Sequence, residues 1–185
     1  IALDSLCGGQ VGVSMEIIEP MPHILIAGGG HVGRCVALVA DSLGWNYSVF
    51  DVRKEYSNTD KYPLSNETIS MKTNDFLESE DHESIKRFSD ILLLGHDWSV
   101  DQELLLGFLK LRKDGRRPRI GAIGSKSKWK SFKKAAMDDG VREEWFKNAR
   151  CPIGIDIGAE TPEEIGLAVC AEILALERKI THTEN

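Results

Sequence analysis

The chain has 185 residues, 42% of them hydrophobic and 28% charged, with a formal net charge of −6 at pH 7. That length holds one domain, or one domain plus a piece of another, with enough apolar material for a real core. The acidic balance argues against general nucleic-acid binding, and no apolar run is long enough to span a bilayer.

The first residues lack the basic start and apolar core of a signal peptide, which points to the cytoplasm. The four cysteines, Cys7, Cys35, Cys151 and Cys170, show no CxxC and no Cys–His zinc spacing, so free thiols and no metal site are expected. Cys35 and Cys170 fall within apolar helical patterns and read as small core residues. Cys7 and Cys151 lie in turns with glycine or proline, where packing explains a cysteine less readily.

Residues 1–20 read as the tail of an upstream domain with a short linker. Cys7-Gly8-Gly9 is a tight turn and residues 10–19 alternate like a strand, before Pro20 and Pro22 stiffen the chain. Residues 21–180 read as the main domain, and 181–185 as a flexible tail.

The main domain opens on His23-Ile24-Leu25-Ile26-Ala27, short and apolar enough for a buried strand, followed by Gly28-Gly29-Gly30-His31-Val32-Gly33 and a helical pattern. In this Gly-x-Gly-x-x-Gly spacing Gly28 allows the tight turn, Gly30 bares the backbone to a pyrophosphate and Gly33 lets the helix pack closely. The helix start, with His31 and Val32, offers its N–H groups to the phosphate. The next strand, 46–51, ends in Asp51, near the ~20-residue spacing at which an acid reaches the adenosine ribose 2′-OH. A carboxylate there favours NAD over NADP, whereas Arg53 is able to accept a 2′-phosphate.

Further on, residues 54–66 look irregular and 68–71 suit a third short strand. The acidic stretch 75–88 suits a solvated helix, and 90–95 is a buried-strand signature running into His96. A helix over 100–113, a strand over 119–124, a helix through Met137 and a short helix over 141–148 follow. Residues 151–159 are too glycine-rich for a simple strand. Thr161-Pro162-Glu163-Glu164 is a capping box with proline at the first helical position, opening a long apolar helix. That helix either covers the sheet or supports a homodimer. Strand–helix alternation implies an α/β fold with a Rossmann-like, doubly wound, mostly parallel sheet.

In such sheets ligands sit at the carboxyl ends of the strands. His96 would face the crevice there as an acid–base group, or simply hydrogen-bond its loop. Residues 110–134 carry eleven bases and one acid, a pattern that usually marks a solvated face. At a helix start, however, Ser125, Lys126 and Lys128 suit a phosphate or carboxylate.

Taken together, Cys7-Gly8-Gly9 with Glu19-Pro20, the GGGHVG loop, Asp51-Val52-Arg53, His96 with Asp101, residues 123–128 and the run 151–165 resemble the xanthine dehydrogenase accessory family of XdhC/CoxI type. The resemblance implies a maturation factor that binds molybdenum cofactor, assists its sulfuration and delivers it to an apo molybdenum hydroxylase, with a cysteine desulfurase as a further partner. It makes Cys7 the candidate cofactor- or sulfur-handling thiol, a role suited to a soft thiolate. Family members often carry a second histidine soon after the position of His96. Here Trp98 stands in that place, which argues against a metal-binding histidine pair. The competing expectation is an NAD-dependent oxidoreductase using NAD(H) with His96 as acid–base residue, or an NAD-sensing regulatory module.

Overall fold

A computed structural model describes residues 12–16, 21–112 and 117–179. Six strands form one sheet: β1 (His23–Ala27), β2 (Asn46–Phe50), β3 (Glu67–Ile69), β4 (Asp90–Leu93), β5 (Arg119–Ala122) and β6 (Ala149–Arg150). Their order is β3-β2-β1-β4-β5-β6, and every pairing is parallel. The order reverses between β1 and β4, so the crevice opens at their carboxyl ends.

The helices α1 (His31–Leu43), α2 (Thr73–Ser79), α3 (Trp98–Arg112), α4 (Lys126–Asp138) and α5 (Pro162–Glu177) cover both faces. On one face Leu25, Ile91 and Leu93 of the sheet pack with Phe76, Phe108 and Phe132 of α2, α3 and α4. On the other, Ile24, Ile26, Val49 and Leu92 pack with Val36 and Ala40 of α1 and Val169 and Ile173 of α5. The central strands are buried on both faces, which is why they read as continuous apolar runs rather than alternating ones. Each fully buried aliphatic or aromatic side chain contributes on the order of 1.5–3 kcal/mol.

Helix α5 packs against α1 closely. A Cβ on Gly166 would lie 2.8 Å from the Cβ of Cys35, so glycine there sets the helix separation. Cys35 is therefore half-buried at this contact, whereas Cys170 is in the core, as expected. The capping box is present: Thr161 Oγ1 accepts from Glu164 N at 3.3 Å, and Glu164 Oε2 accepts from Thr161 N at 3.0 Å.

Several local expectations need correction. Residues 12–16 are exposed and pair with no strand among the described residues, whereas the rest of the expected strand over 10–19 lies outside them. The acidic stretch 75–88 divides into α2 and a 3-10 turn, Ser84–Arg87, and is anchored by buried Phe76 and Ile85. The helix placed at 141–148 is a single 3-10 turn, Glu143–Phe146. The basic stretch is not one solvated face: Arg112 is fully buried and Arg119 pairs with Asp90. No helix among the described residues is long and apolar enough to cross a membrane.

Candidate functional site

The glycine loop shows which of its positions the protein itself constrains. Gly28 has φ +118°, and a Cβ there would sit 2.6 Å from Gly95 N. A Cβ on Gly29 would lie 1.8 Å from Tyr56 O, and one on Gly33 2.1 Å from Gly28 O. Gly30 differs. It has ordinary extended backbone at the start of α1, and a Cβ there would meet nothing within 4 Å. Neighbouring glycines make room for protein, while Gly30 faces open space beside the unpaired amides of a helix start.

The loop is held from below. Tyr62 Oη donates to Gly29 O at 2.9 Å, and Gly29 N donates to Asp51 Oδ2 at 3.0 Å. Burial pushes the Tyr62 phenol up to about 12, so it stays a neutral donor. Asp51, just past β2, also accepts from Arg53: backbone N at 3.0 Å and Nε at 2.9 Å on Oδ1, Nη2 at 3.0 Å on Oδ2. The hydrogen bond to Asp51 raises the pKa of Arg53 further, and its guanidinium lies 3.9 Å from the centroid of the Tyr56 ring.

Between this corner and β4 lies a cavity of about 220 Å³, lined by Gly28, Phe50, Asp51, Val52, Arg53, His96, Val100 and Leu104 among others. Its apolar walls with a few convergent polar groups suit a flat aromatic group. An adjoining cleft is bordered by Gly30, His31, Val32, Arg53, Tyr56 and His96. Arg53 and His96 line both. His96 is exposed and makes no hydrogen bond among the described residues, so the expected loop-fixing bond is absent there.

Beneath Gly95 the Asp101 carboxylate is fully buried, accepting from Gly95 N at 3.0 Å and pairing with Lys128 Nζ at 3.1 Å. Burial pushes its pKa up, with Lys128 opposing. This pair ties α3 to α4 under the crevice floor. Cys151 Sγ lies 3.6 Å from Gly124 O, and burial pushes its thiol up despite Lys128. That keeps it in the protonated, less nucleophilic form.

The structure thus brings together Gly28, Gly30, His31, Val32, Asp51, Arg53 and His96, with Gly33 packed under the loop. Ser125 and Lys126 do not join them. Ser125 caps α4 by accepting from Lys128 N at 3.2 Å, and both side chains are exposed beyond β5. Cys7 lies outside the described residues. Sequence reading missed Tyr56, Lys61 and Tyr62, because they fall in the irregular 54–66 segment where no periodicity flags them. The available signal was local: an aromatic–cation cluster directly after the acid of β2.

A parallel sheet with this strand order and a glycine loop at its switch point defines a Rossmann domain. Residues 24–173 match the family model described as the XdhC Rossmann domain, and the chain belongs to that family. It is 30% identical over 178 residues to the uncharacterized protein YqeB of Escherichia coli (strain K12), covering 95% of this chain and 31% of that protein. It is 25% identical over 173 residues to a probable xanthine dehydrogenase subunit of Bacillus subtilis (strain 168), covering 90% and 46%. The chain therefore spans a third to a half of the curated relatives it matches. Among solved structures, a xanthine dehydrogenase from Bacillus halodurans superposes with a TM-score of 0.73 at 24% identity, covering 86% of this chain and 45% of that one. A short-chain dehydrogenase/reductase from Vibrio parahaemolyticus gives 0.51 at 17% identity over 80% and 91%. These two likenesses concern the fold alone.

Proposed function

We propose that this domain is the nucleotide-binding part of an accessory protein for a molybdenum hydroxylase of the xanthine dehydrogenase type. Its crevice takes a dinucleotide-like ligand, with the flat base in the apolar cavity and the phosphates on the amides after Gly30. The cargo is molybdenum cofactor, whose own phosphate or nucleotide suits the same loop. Cys7, in the sequence Cys-Gly-Gly, assists sulfuration with a cysteine desulfurase, and the loaded cofactor passes to the apo-hydroxylase.

The observation that carries this reading is Gly30, bare toward open space inside a loop whose other glycines are packed against protein. Membership of the XdhC Rossmann-domain family supports the hydroxylase side. The exposed, unsupported position of His96 weighs against a stand-alone dehydrogenase, which needs an oriented acid–base group.

Gly30→Val is the direct test, because the extended backbone accepts a β-branched residue while its methyls occupy the phosphate position. Helix-start effects limit the stability loss to about 1 kcal/mol. We expect titration calorimetry to show nucleotide and molybdenum-cofactor binding lost in the variant. Reconstitution of an apo-hydroxylase by the full chain should fall with it, and also in Cys7→Ala. Unchanged binding in a folded Gly30→Val variant sinks the crevice assignment, and reconstitution indifferent to the protein sinks the accessory role.

A further inference from the structure

We propose that the crevice selects a dinucleotide bearing a 2′-phosphate on its adenosine ribose, NADP rather than NAD, with Arg53 and Lys61 as the phosphate clamp. The inference rests on the dinucleotide reading given above and adds the ligand's chemical class.

Its starting point is the saturation of Asp51. An ionised carboxylate offers about four lone-pair sites. Gly29 N, Arg53 N, Arg53 Nε and Arg53 Nη2 occupy Asp51 from four directions at 2.9–3.0 Å. The side chain is also only 5% exposed. A ribose hydroxyl arriving at the end of β2 would find no acceptor left on it. The acid that favours NAD by its sequence position is committed instead to holding the glycine loop and its neighbouring arginine.

What faces the crevice is the arginine. Arg53 is 37% exposed and borders both the base cavity and the phosphate cleft. Two of its side-chain N–H groups go to Asp51, and the guanidinium has about five in all, so donors remain for a ligand. It lies against Tyr56, and Lys61 Nζ stands 4.3 Å from the centroid of the same ring. Lys61 forms no ion pair among the described residues. Two cations therefore share one aromatic ring, and of the nearby acids Asp51 is tied to Arg53 while Glu55 acts on Arg53 without an ion pair to it. A phosphate monoester carries roughly −1.5 to −2 charge at neutral pH and accepts charge-assisted bonds from a guanidinium and an ammonium. The adenosine 2′-phosphate is the part of a dinucleotide that reaches the end of β2.

The test is titration calorimetry of NADP⁺ and NAD⁺ against the full chain and its Arg53→Gln and Lys61→Gln variants. Wild type should bind NADP⁺ about tenfold or more tighter than NAD⁺, the scale of one charge-assisted contact. Arg53→Gln should erase that preference and raise NAD⁺ affinity, because it unblocks acceptor sites on Asp51. Lys61→Gln, which keeps the backbone carbonyl that accepts from Arg34, should weaken NADP⁺ severalfold and leave NAD⁺ unchanged. Equal or tighter NAD⁺ binding by wild type overturns the inference while leaving the dinucleotide crevice standing. Binding of neither nucleotide overturns both. A Lys61→Gln variant with unaltered NADP⁺ binding removes Lys61 from the clamp and overturns the two-cation assignment.

Discussion

At the amino ends of the strands, Asp90 is fully buried and accepts from Arg119 Nε at 2.8 Å, with Arg150 at 3.5 Å. Arg119 also reaches Glu177, which pairs with Arg117 at 3.0 Å, while Arg150 pairs with Glu172 at 3.0 Å. At the carboxyl ends Asp51 is nearly as buried and also holds an arginine, yet that arginine remains open to the cavity, and Lys61 on the same Tyr56 ring forms no ion pair among the described residues. Both ends use the same acid–arginine contact. At one it closes a network on itself, and at the other it fixes a cation at the edge of a cavity. The presence of a buried ion pair thus says little about function. Whether the partner's remaining donors face protein or open space says more.

The closed end should suffer most from losing a charge. Asp90→Ala removes the fully buried acid of the network and leaves Arg119 and Arg150 with only their outer partners, Glu177 and Glu172. Breaking a buried pair by removing one partner costs about 3–5 kcal/mol. Urea unfolding should show a loss of that size. A loss under ~1 kcal/mol would mean the network at the amino ends behaves like a surface pair, no more closed than the pair at Asp51.

The open end should tolerate change better, with a functional rather than structural penalty. Tyr62→Phe removes the phenol that supports Gly29 O from below. A lost neutral hydrogen bond of this kind costs about 1 kcal/mol. Nucleotide affinity should fall alongside stability, because Gly29 precedes Gly30, the residue proposed to meet the phosphate. If stability drops while calorimetric affinity is unmoved, the phenol supports the fold alone.

Much of this architecture was legible in the sequence, and the reasons are physical. The central strands β1 and β4 are buried on both faces, so Ile24–Ala27 and Ile91–Leu93 appear as short unbroken apolar runs, and β2 and β5 follow from the strand–helix alternation around them. The glycine spacing places the switch point, because only glycine fits where Gly29 meets Tyr56 and Gly33 meets Gly28. The capping box marks the start of α5 to the residue. Strand β6 was hidden: two residues, Ala149 and Arg150, pairing with Ile120 and Gly121, carry no periodicity. The commitment of Asp51 was hidden as well. Its spacing names it as a ribose acceptor, but whether its lone pairs are free depends on Arg53 folding back two residues later. Tyr56 and Lys61 reach the site through an irregular connection, and such packing has no repeat for a sequence to display.

The smallest effect tests the periphery of the closed end and appears mainly in acid. Glu80, at the end of α2, is largely buried and is held by Arg87, which also reaches Glu67 at the start of β3. Burial alone would raise its pKa, but the hydrogen bonds from Arg87 and Ser84 outweigh it and hold the carboxyl below its usual value. The unfolded chain then binds a proton more readily than the folded one. The stabilisation is therefore complete above the ordinary carboxylate range and is lost as pH falls through the lowered folded value. In Glu80→Gln that acid-limb contribution is gone. Thermal unfolding followed from pH 7 to pH 3 should show the two proteins furthest apart at neutral pH and converging in acid. Curves that stay parallel would assign Glu80 a packing role without charge, and would confine the closed network to the residues around Asp90.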